Sequence, residues 1–76
     1  MKAPTEKQKE LLAAVHKLTK PWGYPPTRRE IADELGLTGL NGISEQLERL
    51  EASGCLTIAP RIARGLTITA RGRTFI

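Results

Sequence analysis

The chain is poor in the residue types that build metal centres, redox sites and disulfide frameworks: among 76 residues it has one cysteine, one histidine, one tryptophan, one tyrosine and one phenylalanine. A lone Cys55 closes no internal disulfide, and with His16 alone beside it no Cys/His metal set can be assembled. A reducing compartment, the cytoplasm, is therefore expected. No apolar run approaches the roughly 18 residues of a membrane span, and no apolar signal-peptide core stands at the N-terminus, so no membrane partner is expected. Gly-rich phosphate loops and paired carboxylates are missing as well. Ser44 lacks a base in the right context, because His16 belongs to another helix. These absences argue against an enzyme, a cofactor, a metal or a small-molecule substrate. What remains is one domain over residues 1–76. At roughly 0.05–0.15 kcal/mol per residue its stability should be about 4–11 kcal/mol.

Charge is present but unevenly placed within the net +4. Residues 1–29 carry seven Lys/Arg and two Glu, a net of +5; residues 30–54 carry six acids and one Arg, a net of −5; residues 55–76 carry four Arg and no acid, a net of +4. Two basic flanks therefore enclose an acidic centre. Unevenly composed, solvated surface is the plain alternative.

Periodicity supplies the elements. Thr5-Glu6-Lys7-Gln8 fits a capping box, with the Thr5 hydroxyl accepting from the Gln8 amide and the Gln8 side chain reaching back. Leu11, Leu12, Val15 and Leu18 then recur at helical spacing until Pro21 stops the pattern. KPWGYPP reads as a loop, with Trp22 and Tyr24 packed over the helix ends. A second capping box, Thr27-Arg28-Arg29-Glu30, opens a short helix with Ile31, Ala32 and Leu35 inward and Gly36 as its left-handed end. A third helix is expected from near Thr38 or Gly39, with Leu40, Ile43, Leu47 and Leu50 on the core face and Gly54 ending it. Thr38, Asn41, Glu45, Glu48 and Ala52 then face outward, with Gly42 and Ser44 on the shoulders.

After the third helix the apolar period drops to that of a strand. Leu56 and Ile58 alternate with Thr57, and Leu66 and Ile68 with Thr67, as in two short antiparallel strands. APRIARG joins them as a loop with a basic tip. Cys55 reads as a small buried apolar residue. The tail, residues 69–76, is ambiguous: Phe75 and Ile76 either pack back on the core or begin another helix. Three helices and a two-stranded hairpin, mainly α, with a short turn between the second and third helices, make a winged helix-turn-helix. That arrangement uses the whole apolar set and leaves no exposed apolar patch.

MKAPTEKQKELL, GYPPTRREIADELGL and RGLTIT together resemble the N-terminal DNA-binding domain of LexA, the bacterial SOS repressor, from Met1 to about Ile68. GYPPTRREIA is the specific part, because a generic helix-turn-helix does not need the double proline before the cap. The resemblance implies a third helix in the major groove and a wing near the minor groove of double-stranded DNA. It implies base reading by Gly39, Asn41, Gly42, Ser44 and Glu45, with Thr27, Arg28 and Arg64 holding the backbone. It also implies a bacterial or phage origin. Gly39 and Gly42 depart from the side-chain-bearing residues usual in the reading turn, and Ser44 stands where a longer acid often occurs. The family's second domain, which cleaves itself and supports dimerisation, finds no room in this chain.

Elementary chemistry agrees with much of that assignment. The start of the second helix offers free amide donors and a positive dipole end, to which Arg28 and Arg29 add charge. Arg61 and Arg64 lie in a loop without acids, which favours phosphate or a narrow minor groove over a salt bridge. Asn41 can present a donor and an acceptor together to adenine, and Glu45 can accept from a cytosine amino group. Glu48 and Glu51 are expected to point into solvent and pair along the helix. The leading expectation is sequence-specific duplex binding in transcriptional regulation, as a LexA-like repressor or its isolated DNA-binding domain. Two copies on a palindromic operator, a homodimer, would place half-sites about one helical turn apart. The alternative is an antirepressor-like interaction module that engages a basic protein through its acidic third helix.

Overall fold

The computed structural model describes residues 3–37, 39, 41–62 and 64–76, and of Asn41 the backbone only. At the start of α1 (Glu6–Trp22) the capping box closes: Thr5 Oγ1 accepts from the Gln8 N–H at 3.2 Å, and Gln8 Oε1 accepts from the Thr5 N–H at 3.1 Å. Leu11, Leu12, Ala14 and Val15 are buried, while Leu18 is half-buried. Pro21 does not stop the helix. In the last turn a proline removes a single backbone bond, and the N–H of Gly23 then closes the end on the Thr19 carbonyl at 2.8 Å.

In α2 (Arg28–Leu35) Ile31 and Ala32 are buried and Leu35 packs at the core's margin, as the pattern predicts. Gly36 ends it with φ 71°. α3 (Asn41–Ala52) begins later than the pattern suggests, since Gly39 lies ahead of the helix. Glycine costs backbone entropy in a helix, so the apolar period can be extrapolated further toward the N-terminus than the helix itself extends. Thr38 and Leu40 lie outside the described residues. Ile43, Leu47 and Leu50 are buried along the inward face, and Gly54 follows the helix with φ 82°.

β1 (Leu56–Ile58) and β2 (Leu66–Ile68) form the antiparallel hairpin in the register Leu56↔Ile68, Thr57↔Thr67, Ile58↔Leu66. Leu56 and Leu66 point into the core and the two threonines out. The tail forms a fourth short helix, α4 (Ala70–Arg73), capped by Thr69. Phe75 packs back against the core, whereas Ile76 is exposed. Gly72 makes this closure possible, because a Cβ there would fall on the Cys55 carbonyl oxygen. Thr69 Oγ1 donates to Gly54 O at 2.6 Å and Arg71 Nε to Ser53 O at 2.9 Å, so the tail is bolted to the end of α3.

One core unites these elements: Leu12, Val15, Ile31, Leu47, Leu50, Cys55, Leu56 and Leu66 all retain 2 % of their surface or less. Its use of the apolar set is incomplete, contrary to expectation. Trp22, Tyr24, Leu37, Ile62 and Ile76 remain exposed, because all five sit in loops, caps or termini that the small core does not reach. Among the described residues no helix is long and apolar enough to cross a membrane.

Candidate nucleic-acid interface

The capping box of α2 is complete: Thr27 Oγ1 accepts from the Glu30 N–H at 3.2 Å, and Glu30 Oε1 accepts from the Thr27 N–H at 2.7 Å. Thr27 is half-buried at this helix start. Arg28 follows as the first helical residue, also half-buried, and its Nε is buried without a hydrogen-bond partner among the described residues. Arg29 is exposed. The leading amides of α2, its dipole and two guanidinium groups thus share one end of a helix.

Arg64 has an acid beside it, against the expectation of a loop arginine without one. Its Nη1 donates to Glu30 Oε1 at 2.8 Å and to Pro25 O at 3.1 Å, and its Nη2 donates to Glu30 Oε2 at 3.1 Å. The expectation of a loop arginine without an acid failed because the fold returns the wing to a helix 34 residues back along the chain. Above the same guanidinium lie two aromatic rings, with Tyr24 at 4.8 Å and Trp22 at 5.8 Å from its carbon. The rings themselves are 5.6 Å apart and tilted by 32°. Trp22 and Tyr24, expected over the helix ends, remain exposed, and the partner they share is Arg64. The Arg64 hydrogen bonds, followed by the Thr27 N–H, hold the Glu30 carboxyl below the usual glutamate range.

Arg61 keeps its exposed place on the wing, with a left-handed backbone at φ 64°. At the neck of that loop Ala59 N–H donates to Gly65 O at 2.9 Å and Gly65 N–H to Ile62 O at 3.1 Å.

α3 packs on α1, α2 and β1. Asn41 is its first residue; the amide-reading role expected of its side chain lies outside the described atoms. Gly39 and Gly42 are exposed, and a Cβ at either would meet nothing within 4 Å. Neither glycine is therefore required by packing. Ser44 is half-buried on the shoulder. Glu45 is exposed as expected but paired, accepting from Arg49 Nη2 at 2.6 Å one turn along. Glu48 faces solvent, whereas Glu51 does not merely do so: its Oε2 accepts from the Ile58 N–H at 2.9 Å and ties α3 to the wing strand. Two of the three carboxylates on this helix thus have partners inside the molecule.

Sequence reasoning missed three contributors. Glu30 was legible only as a cap residue, not as the wing's anchor. Gln8, 8 % exposed, donates from Nε2 to Gln46 Oε1 at 2.9 Å, joining α1 to α3. Lys7 lines a recess of about 240 Å³ together with Leu37, Gly39, Gly42, Ile43 and Gln46, which sets a cation at the rim of the first turn of α3. Its helical phase, one turn before Leu11, was the available signal. Cys55 is buried, as expected, and His16 is exposed.

With this geometry in place, comparison with known proteins is informative. The family model of the LexA DNA binding domain matches residues 1–65. The LexA repressor of Myxococcus xanthus is 36 % identical over all 76 residues, which cover 34 % of that protein. The LexA repressor of Methylococcus capsulatus is 37 % identical over 93 % of this chain and 35 % of its own length. That of Pseudomonas chlororaphis is 41 % identical over 84 % of this chain and 32 % of its own length. The chain spans about a third of the length of these curated relatives.

Proposed function

The chain belongs to the LexA DNA-binding domain family, and from that premise we propose that it binds double-stranded DNA sequence-specifically to repress transcription. In this reading the first turn of α3 enters the major groove, where Asn41, Gly42 and Glu45 meet base edges and Gly39 and Ser44 flank them. Thr27 and Arg28 at the start of α2 hold the phosphate backbone on one side, and Arg61 on the wing holds it on the other. Lys7 adds a cation at the rim of the reading turn. Two copies on a palindromic operator would form the working assembly.

The observation that carries the proposal is the match of residues 1–65 to the LexA DNA binding domain model, and the exposed Gly42 in the first turn of α3, with Arg28 and Arg29 at the start of α2 and Arg61 on the wing, supports it. Gly42 costs the helix about 0.5–1 kcal/mol relative to alanine without any packing return, a cost that close approach of a duplex would justify. An acidic helix recruiting a basic protein has less support, because Glu51 is already engaged by the Ile58 N–H.

The test is a duplex titration at about 50 and 200 mM salt with an Arg28→Ala/Arg61→Ala variant alongside. Affinity should fall steeply with salt, and each phosphate that the variant no longer neutralises should flatten the log–log slope by about 0.9. Undetectable binding at low salt, with the variant indistinguishable, would overturn the proposal.

A further inference from the structure

Arg64 bridges two elements that meet nowhere in the sequence, the wing loop and the start of α2. Its three hydrogen bonds go to Glu30 and the Pro25 carbonyl, its guanidinium lies beneath Tyr24 and Trp22, and its side chain is 40 % exposed against 30 % for Glu30. A fork that grips both carboxylate oxygens fixes direction as well as distance. The wing neck is closed on itself, since a Cβ at Gly65 would stand 2.7 Å from the Ala59 Cβ. The loop can therefore be carried as a unit by a single strong attachment.

Electrostatics opposes a direct phosphate role for this arginine. Turning Arg64 toward the duplex would strip Glu30 of its cation and leave a bare carboxylate at the helix end that should receive an anion. Kept in place, Arg64 neutralises Glu30 and leaves Arg61 as the exposed wing cation.

We infer that Arg64 is a positioning residue: by clasping Glu30 and the Pro25 carbonyl it fastens the wing to the start of α2 and sets where Arg61 stands against the DNA backbone. This rests on the DNA-binding reading above and deepens it.

The test uses the full chain and a fluorescent duplex that the unmodified chain has itself recovered from a random pool. Glu30→Gln keeps a capping-box acceptor but removes the charge. It should weaken binding about fivefold, Arg64→Ala should do the same, and the double variant should fall within about twofold of either single one. Arg61→Ala, costly in the unmodified chain, should cost under about twofold once Arg64 is gone, a coupling that a purely structural role would not produce. Circular dichroism confirms that each variant is folded at the assay temperature, and Glu30→Gln decides the matter alone if Arg64→Ala does not fold. Tighter binding by Glu30→Gln would overturn the clasp, since it would mean that Glu30 competes with phosphate for Arg64. Additive losses or an undiminished Arg61→Ala effect would overturn it as well. Failure of the unmodified chain to recover any duplex would overturn instead the DNA-binding reading.

Discussion

The two capping boxes share one local design and differ in what their third helical residue does next. Thr5 and Gln8 close the start of α1, Thr27 and Glu30 the start of α2, with matching pairs of hydrogen bonds. Gln8 then turns inward and donates to Gln46 of α3 at 2.9 Å, whereas Glu30 stays near the surface and receives the Arg64 fork. A neutral amide can be buried once its hydrogen bonds are made, but a carboxylate needs water or a cation nearby. Identical caps thus become two kinds of tertiary tie. The amide tie is indifferent to salt and acid; the ionic one responds to both.

The largest effect expected sets a ceiling for both ties. Leu47, wholly buried, should cost about 2–5 kcal/mol as Leu47→Ala in urea unfolding. A loss under about 1 kcal/mol would contradict the packing of α3 on which both ties depend. Next comes the buried amide: Gln8→Ala strands Gln46 Oε1 and the Thr5 N–H and should cost about 1–3 kcal/mol by the same measurement. Were that change silent, the contrast between a buried tie and a surface one would collapse. Thr5→Ala and Thr27→Ala should each cost about 1 kcal/mol. Near-equal values would sharpen the comparison by showing that the caps are locally equivalent.

The smallest effect concerns protons. Folding holds the Glu30 carboxyl below its ordinary value of 4.5, so the ionised form is favoured in the folded chain. Its contribution is therefore present above that ordinary value and lost as pH falls through the lowered folded one. Thermal unfolding compared between about pH 6 and pH 3 should show a drop that Glu30→Gln reduces and Gln8→Ala leaves intact. A Glu30→Gln chain with the full drop would assign the acid sensitivity elsewhere.

Local features were the readable ones. Both capping boxes, the Ile43–Leu47–Leu50 stripe, Gly36 and the Leu56/Leu66 alternation follow from spacing that each segment carries within itself. What escaped was polar contact between elements: Arg64 with Glu30, Gln8 with Gln46, and, only seven residues apart, Glu51 with the Ile58 amide. Polar ties of this sort have no period, and a carboxylate reads the same whether it faces water or a strand edge. The tail was opaque for a related reason, because Gly72 owes its place to the Cys55 carbonyl rather than to its neighbours. At the candidate interface the residue types were legible, but not the pairing of Arg64 with Glu30, which the wing reaches only through the fold.

Trp22 gives this architecture an optical consequence. The chain has a single indole, and it stands 5.8 Å from the Arg64 guanidinium and 5.6 Å from the one tyrosine ring. Ultraviolet excitation absorbed by Tyr24 will pass to Trp22 across so short a gap. The emission maximum of Trp22 will shift when the neighbouring cation leaves. The contact between wing and second helix thus carries its own fluorophore, and loss of the Arg64 contact in a variant can be followed in unlabelled protein with a simple fluorimeter.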